Sequence, residues 1–218
     1  MSDFIRKILT VPKCRCCFKP ADGNLCESCG LQLVACRMKD GKIPDADCPP
    51  LVDAAYGSYY YKGAAAQSVI KAKFSNPARF LSSFLQDISV DIDTILVQNK
   101  IDMVRSVPCH KSKLYTHETD LPRQMAKAIS RRLKVPVYHG LKKIKKTEIQ
   151  HNLPLAKRKT NLQGAFLAQT DIVGKNLLLI DDVMTSGSTL SRCAQRLAQA
   201  GCGKITAWVY AYNTYREE

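Results

Sequence analysis

Two adjacent carboxylates, Asp181 and Asp182, directly follow a run of four apolar residues at positions 177–180. A continuous apolar run of this kind is typical of a parallel strand that is covered on both faces. In an open α/β sheet, ligands bind beyond the carboxyl ends of the strands, and the two acids are expected there. Carboxylate oxygens accept hydrogen bonds from vicinal sugar hydroxyls and attract Mg²⁺. The acid pair is therefore a candidate site for a ribose.

Small residues, most of them hydroxyl-bearing, follow the acids and lead into a predicted helix. They are Thr185, Ser186, Gly187, Ser188 and Thr189. A tight turn of these residues would direct its N–H groups and hydroxyls inward, in front of the positive end of the helix, which favours a phosphate. The acids and the turn together predict a site for a ribose 5-phosphate. The alternative is an ordinary strand–loop–helix in which Asp and Ser only cap the helix.

Two closely spaced cysteine pairs lie in the first thirty residues. Their members are Cys14 and Cys17, followed by Cys26 and Cys29. Zn²⁺ prefers four soft ligands in a tetrahedron, and two CxxC turns supply four thiolates without a large core. The pattern predicts a structural zinc site, with a set of free structural cysteines as the alternative. Cys16 lies inside the first pair and could replace a neighbour, whereas Cys36 and Cys48 have no partner pair.

The composition is that of an ordinary globular protein, with 45% hydrophobic and 24% charged residues. No apolar run approaches the roughly 20 residues that a membrane-spanning helix needs. The start also lacks the apolar core and cleavage site of a secretory signal. We therefore expect a cytoplasmic protein without a membrane span. Because thiols stay reduced in that compartment, the ten cysteines are not expected to form disulfides.

Positive charge is concentrated in the middle of the chain, whose formal net charge is +14. Between Lys100 and Thr160, sixteen Lys or Arg residues stand against four Asp or Glu residues. This excess favours a polyanionic partner, either nucleic acid or a phosphorylated small molecule, and a solvated basic face is the alternative. The most basic segment, 141–161, is predicted to contact single-stranded DNA. The candidate contacts are Lys142, Lys143, Lys145 and Lys146.

Strands alternate with helices beyond residue 50, which indicates a mostly parallel α/β sheet. Strands are predicted over 54–63, 101–108, 135–140, 175–181 and 204–212, and helices over 64–74, 78–88, 121–133 and 186–201. The residues before 50 hold seven of the ten cysteines, and the stretch DCPP at 47–50 marks the change of composition. We predict a zinc-binding cysteine module at 1–50 and an α/β domain at 51–218.

A second phosphate site is predicted at the end of the 101–108 strand. Pro108 ends that strand, and Lys111 follows three residues later. Backbone amides and the Lys111 ammonium could meet a phosphate there, and a basic surface turn is the alternative.

The stretch from 177 to 189 resembles the fingerprint of type I phosphoribosyltransferases. That fingerprint is four apolar residues, two acids, two apolar residues, then Thr or Ser around a Gly, and every position conforms. The order of features along the whole chain is similar to that of the ComF family, also labelled GntX-like, of bacterial proteins linked to DNA uptake in natural competence. The shared features are the cysteine pairs, a Tyr-rich strand, the VIKAKF helix, the SVP strand end, the spaced Gln150, Arg158, Asn161 and Phe166, and the fingerprint itself.

The resemblance implies a type I phosphoribosyltransferase-like sheet flanked by helices, with a small N-terminal zinc module. It implies phosphoribosyl pyrophosphate with Mg²⁺ as the ligand, and a pyrophosphate loop at Pro108 and Lys111. It also implies two kinds of macromolecular partner, which are single-stranded DNA and other competence proteins.

One departure from the family bears on catalysis. Related proteins commonly carry an Arg-Gly-Phe-Asn-Gln stretch after the SVP strand end, whereas this chain has HETDL at 117–121. In phosphoribosyltransferases the corresponding segment often forms a lid over the pyrophosphate. The change favours a binding protein in DNA uptake. The alternative is an active phosphoribosyltransferase that transfers ribose 5-phosphate to a nucleobase or amine, with Asp181 and Asp182 steadying the cationic sugar in the transition state.

Overall fold

A parallel sheet is the centre of the computed structural model, which describes residues 12–74, 77–109, 120–145 and 164–214. Its four strands are β1 (Ala54–Tyr60), β2 (Met103–Ser106), β5 (Leu177–Met184) and β6 (Ile205–Tyr212). They lie in the order β1–β6–β5–β2, and every neighbouring pair is parallel. A short antiparallel ribbon pairs β3 (Lys142–Lys143) with β4 (Phe166–Leu167). The fold is thus the predicted parallel α/β sheet.

Five α-helices accompany the sheet within the described ranges. They are α1 (Glu27–Cys36), α2 (Gly63–Phe74), α3 (Pro77–Gln98), α4 (Leu121–Leu133) and α5 (Ser188–Gln199). Short 3-10 helices span Asp45–Asp47 and Thr170–Ile172. None of the described helices combines the length and the apolar content that crossing a lipid bilayer requires.

The two central strands explain the long apolar runs in the sequence. All eight residues of β6 are buried, and so are the first four of β5. Strands covered by helices on both faces need apolar side chains at successive positions rather than at every second one. One hydrophobic layer lies between the sheet and helices α1 to α4, and a second lies on the opposite face under α5.

Two predicted elements differ from the structure. Helix α3 continues ten residues beyond the predicted end at 88, because Ile92 and Ile95 extend its buried face. The predicted strand at 135–140 contributes only one bridge, between Val137 and Val104 of β2. Its backbone hydrogen bonds to β2 are made at this point, where Val104 N–H donates to the Pro136 carbonyl and Tyr138 N–H donates to the Val104 carbonyl.

The segment at 37–43 covers the outer edge of β1. It forms antiparallel bridges from Arg37 to Tyr59 and from Lys42 to Tyr56. Ile43 N–H also donates to the Ala55 carbonyl at 2.8 Å. An unpaired sheet edge is a template for pairing with other chains. This antiparallel segment occupies part of the β1 edge with backbone hydrogen bonds from within the same chain.

Two arginines of the N-terminal region form ion pairs with acids one turn apart on α3. Arg15 Nη2 lies 2.8 Å from Asp87 Oδ2, and the Arg15 side chain is only 3% exposed. Arg37 Nη2 lies 2.5 Å from Asp91 Oδ1, and Ser58 Oγ donates a hydrogen bond to the other Asp91 oxygen. Burial raises the pKa of Asp91 despite these partners. The cysteine-rich region is therefore fastened to the sheet layer by partly buried charges.

Candidate ligand site and metal centre

The acid pair lies inside the carboxyl end of β5 rather than after it. Asp182 is buried, whereas Asp181 is partly exposed. Each carboxylate accepts a hydrogen bond from the next backbone N–H, from Asp182 N to Asp181 at 3.0 Å and from Val183 N to Asp182 at 2.7 Å. Adjacent side chains of a strand point to opposite sides, so the two acids have different neighbours.

Lys73 is the neighbour of Asp182. Its Nζ lies 2.8 Å from Asp182 Oδ2, with 37% of the lysine side chain exposed and 12% of the aspartate. Burial disfavours the charged lysine, but the charges of Asp182 and Asp181 outweigh it and raise the Lys73 pKa. Helix α2 starts just beyond the carboxyl end of β1, and its last turn brings this ammonium to the acids. The sequence prediction missed Lys73, and the only signal was a lysine in the VIKAKF helix.

Asp181 has an unusual electrostatic environment. Burial, followed by the charge of Asp182, raises the pKa of Asp181 well above the ordinary value for an aspartate. Two carboxylates placed side by side cannot both ionise at their normal pKa unless a cation compensates them. Lys73 compensates only one negative charge. The pair is therefore suited to a ligand that brings hydroxyl donors or a divalent cation.

The predicted phosphate turn forms one cavity with Asp181. The cavity has a volume of about 40 Å³ and is lined by Asp181, Val183, Met184, Thr185, Gly187, Ser188, Thr189 and Leu190. Of the predicted residues, Ser186 and Asp182 do not line it, although Ser186 Oγ lies 2.9 Å from Ser188 Oγ. Helix α5 begins at Ser188, and its N-cap, Gly187, provides no side-chain cap. The amide end of this helix is therefore directed to the cavity.

Gly187 meets two requirements at once. Its φ of +65° is one that residues with a side chain rarely adopt, and a Cβ there would lie 2.9 Å from Pro49 Cγ. Pro49 belongs to the N-terminal cysteine-rich region, which thus packs directly against the turn. Any larger residue at 187 would have to displace either the turn or Pro49.

The remaining predicted ligand residues are spread over two places. Pro108 follows β2 at the same sheet edge, where Val107 N–H donates to the Ile180 carbonyl at 2.7 Å, and Lys111 lies outside the described residues. Lys142 and Lys143 form β3, and Lys145 follows them, whereas Lys146 lies outside the described residues. Lys143 Nζ lies 5.7 Å from the centre of the Phe166 ring.

The four paired cysteines form a compact cluster. The sulfurs of Cys14, Cys17, Cys26 and Cys29 all lie within 4.8 Å of one another. Cys17 Sγ and Cys26 Sγ are 3.7 Å apart, and a tetrahedral Zn²⁺ with Zn–S bonds of ~2.3 Å places its sulfurs about 3.8 Å apart. Burial raises the pKa of Cys14, but backbone N–H groups of Cys17, Cys26 and Cys16 outweigh it and lower this pKa to about 6. The cluster fits a zinc ion.

Comparison with known proteins gives a consistent assignment. Residues 123–218 match the family model described as "Phosphoribosyl transferase domain". The DNA utilization protein YhgH of Escherichia coli O6:H1 is 24% identical over 202 residues, covering 89% of this chain and 88% of that protein. Competence protein F of Haemophilus influenzae is 31% identical over 88 residues, 38% of either chain. The chain is therefore similar to proteins of the ComF-like competence family, and its residues 123–218 match a phosphoribosyltransferase domain.

Two further comparisons are partial. The DNA utilization protein YhgH of Salmonella typhi is 35% identical to this chain over 66 residues, and the match covers 29% of that relative's length. An adenine phosphoribosyltransferase structure has 14% identity and a TM-score of 0.43, with 64% of this chain and 72% of that chain covered.

Three further cysteines of the N-terminal region, Cys16, Cys36 and Cys48, lie outside the cluster. Cys16 Sγ is 2.9 Å from Ser68 Oγ on α2. Cys36 donates to the Lys62 carbonyl, and Cys48 donates to the Val52 carbonyl, each at 3.4 Å. Because Cys16 faces α2, it does not compete with Cys14 or Cys17 for a metal.

We predict about one zinc ion per chain in protein purified without added metal. Replacing both Cys26 and Cys29 with Ser should release it, because two ligands cannot complete a tetrahedral site. The matched control is Cys48→Ser with Cys202→Ser, which removes two thiols outside the cluster and should leave the zinc in place. Elemental analysis of the three proteins checks this, and an equal metal content in all three would contradict it.

Proposed function

We propose that this ComF-like protein acts in competence by handling single-stranded DNA, and that it binds phosphoribosyl pyrophosphate with Mg²⁺ at the carboxyl edge of its sheet. The observation that carries the ligand proposal is the shared cavity of Asp181 and the turn at 185–189. The relatives named for DNA utilization and competence support the biological role.

The proposed binding follows from the chemistry of each group. Asp181 and Asp182 accept hydrogen bonds from the ribose hydroxyls, and the turn at 185–189 with the start of α5 binds the 5-phosphate. The pyrophosphate lies toward Pro108 and Lys111. Mg²⁺, when bound with the ligand, neutralises part of the phosphate charge and is attracted by the acid pair. Lys73 keeps the two acids from carrying an uncompensated double charge.

A second candidate is an active phosphoribosyltransferase, favoured by the match of residues 123–218 to the transferase family model. A nitrogen nucleophile of a nucleobase or amine would form a bond to ribose C1 as the bond to pyrophosphate breaks. The electron pair would leave with the pyrophosphate, and the nucleophile would lose its proton to solvent or a base. The acids would stabilise positive charge on the sugar as it develops.

Calorimetry with phosphoribosyl pyrophosphate and Mg²⁺ tests the ligand proposal, and a pyrophosphate-release assay with a panel of bases separates the two candidates. Binding without release for any base supports the binding protein. Base-dependent release establishes the enzyme. The absence of any heat of binding, in a preparation that is folded and contains zinc, would refute both.

The organisation of the chain is part of the proposal. We propose a zinc-binding module at 1–50 held by Cys14, Cys17, Cys26 and Cys29, and a phosphoribosyltransferase-like domain at 51–218. Zinc-binding thiols must be reduced, so we propose a cytoplasmic location, where other competence proteins are the partners.

The lysine segment is proposed to contact the DNA backbone. Changing Lys142, Lys143, Lys145 and Lys146 to Gln should weaken single-strand binding for every base sequence alike. Each lost phosphate contact should reduce the slope of log affinity against log salt by roughly 0.7. Fluorescence anisotropy at several salt concentrations measures the slope. An unchanged slope would mean that these lysines are only solvated. If binding of phosphoribosyl pyrophosphate weakened together with DNA binding, the lysines would instead be assigned to the ligand pocket.

A further inference from the structure

Three cations form a row on the exposed face of α4. Arg123, Lys127 and Arg131 are all exposed and are spaced four residues apart. Residues four apart on a helix lie one above the other, so the row rises about 6 Å from one charge to the next. The opposite face of the helix is buried in the core through Leu121, Met125, Ala126 and Ile129. The row therefore cannot turn inward.

The row has no compensating acid. The sequence of α4, LPRQMAKAISRRL, contains no Asp or Glu, and like charges at this spacing repel one another. Arg132, which lies beside the row, pairs with Asp93 at 3.4 Å. Among the described residues, no carboxylate forms an ion pair with any of the three row cations. A helix face that is merely solvated usually mixes both signs of charge.

A groove runs along the row. Its volume is about 360 Å³, and it is lined by Asp120, Arg123, Gln124, Lys127, Ala128 and Arg131. Asp120 is its one acid and is already engaged, because its carboxylate caps the helix by accepting from Arg123 N–H at 3.0 Å. The rest of the lining offers donors and positive charge, which complement a chain of phosphates.

The row starts at the sheet edge that holds the candidate ligand site. Helix α4 follows β2, packs against β2 and β5, and is followed by Val137, which pairs in parallel with Val104 of β2. The helix therefore runs opposite to the strands, and its Arg123 end lies at their carboxyl edge. A polyanion lying along the row would reach this edge.

We infer that the α4 row of Arg123, Lys127 and Arg131 binds the phosphate backbone of single-stranded DNA. These three residues are different from the lysines of 142–146 proposed above, and the inference rests on the proposed handling of single-stranded DNA. Three charges in a straight line match three phosphates of an extended strand. The contact is to phosphates only, so it is indifferent to base sequence.

The test compares two charge-matched triple variants of the full-length, zinc-containing protein. Arg123→Gln, Lys127→Gln and Arg131→Gln remove the row with good helix formers, so the fold is kept. Lys100→Gln, Lys175→Gln and Lys204→Gln remove three exposed cations at the opposite edge of the sheet. The probe is a labelled oligothymidylate of about 20 nucleotides, with anisotropy measured over a range of salt.

The row variant should bind the probe roughly tenfold more weakly at physiological salt, with a slope of log affinity against log salt reduced by about 2. The control should bind like the unchanged protein, and Arg123→Lys with Arg131→Lys should restore most of the affinity. Binding that is equal in the row variant and the unchanged protein overturns the inference while the proposed DNA role stands. No probe binding by the unchanged protein overturns both. Vesicles of anionic lipid serve as a second probe. If the row variant loses binding to the vesicles but not to the oligothymidylate, the row binds a membrane surface, and this result also overturns the inference.

Discussion

Replacing Asp87 with Ala should lower the free energy of unfolding by about 3–5 kcal/mol, because it leaves the buried Arg15 guanidinium without its counter-charge. Arg15 is 3% exposed, its Nη2 pairs with Asp87 at 2.8 Å, and its guanidinium lies 5.5 Å from the centre of the Phe84 ring. The Arg15 Nε already has no hydrogen-bond partner. The guanidinium therefore has few other polar contacts that could compensate for the loss of Asp87. Urea denaturation in excess zinc measures the loss with the metal occupancy held constant.

Two controls define the origin of this loss. Arg132→Gln with Asp93→Asn removes an exposed pair of 3.4 Å and should cost less than about 1 kcal/mol. The double change Arg15→Met with Asp87→Leu removes both buried charges and should recover most of the stability, since apolar replacements of a buried pair are often neutral. A double variant as unstable as Asp87→Ala would mean that shape, rather than charge, holds the region in place.

Asp181→Asn should abolish detectable binding of phosphoribosyl pyrophosphate and leave the protein at least as stable as before. The change keeps the Lys73–Asp182 ion pair intact and removes a carboxylate that is close to a second one. Asp182→Asn should also abolish binding, but it should lower the Tm, because Lys73 loses its partner in a half-buried position. Calorimetry and thermal melting of the two variants separate the ligand role from the structural role.

The pH dependence gives a further test of the same pair. Burial and the neighbouring Asp182 raise the pKa of Asp181, so the folded protein holds a proton that the unfolded chain has released. Stability from this group is therefore present below the unfolded pKa of about 3.9 and is lost as the pH rises through the folded value. Asp181→Asn cannot ionise, so it avoids this loss of stability. The difference in Tm between the Asp181→Asn variant and the unchanged protein should therefore grow from pH 4 upward. An advantage that is constant with pH would contradict the raised pKa.

The sequence predicted the parts of the fold that depend on local pattern. Helix α4 was bounded correctly, because apolar residues recur at helical spacing from Leu121 to Leu133 and a proline stands in its first turn. The buried strand at β5 followed from its apolar run, and the cysteine cluster followed from two CxxC spacings. In each case the residues that determine the feature lie close to one another in the sequence.

The contacts that the sequence did not predict join distant segments. The ion pair of Lys73 and Asp182 joins helix α2 to strand β5, and Pro49 meets Gly187 across the site. Nothing in the local spacing of either residue specifies the other, since both contacts depend on where the sheet order places two elements. The same holds for the predicted strand at 135–140, which forms a single bridge to β2, from Val137 to Val104.

The antiparallel segment at 37–43 has a consequence for how the gene could be shortened or recombined. A chain that began at residue 51 would present β1 with a bare row of backbone donors and acceptors, which invites self-association. It would also lack Pro49 beside Gly187. An exchange of the N-terminal cysteine-rich region between relatives would therefore succeed only if the exchanged piece included its own edge segment and proline as well as the cysteines. We therefore expect the N-terminal region and the α/β domain to be inherited as a unit during evolution.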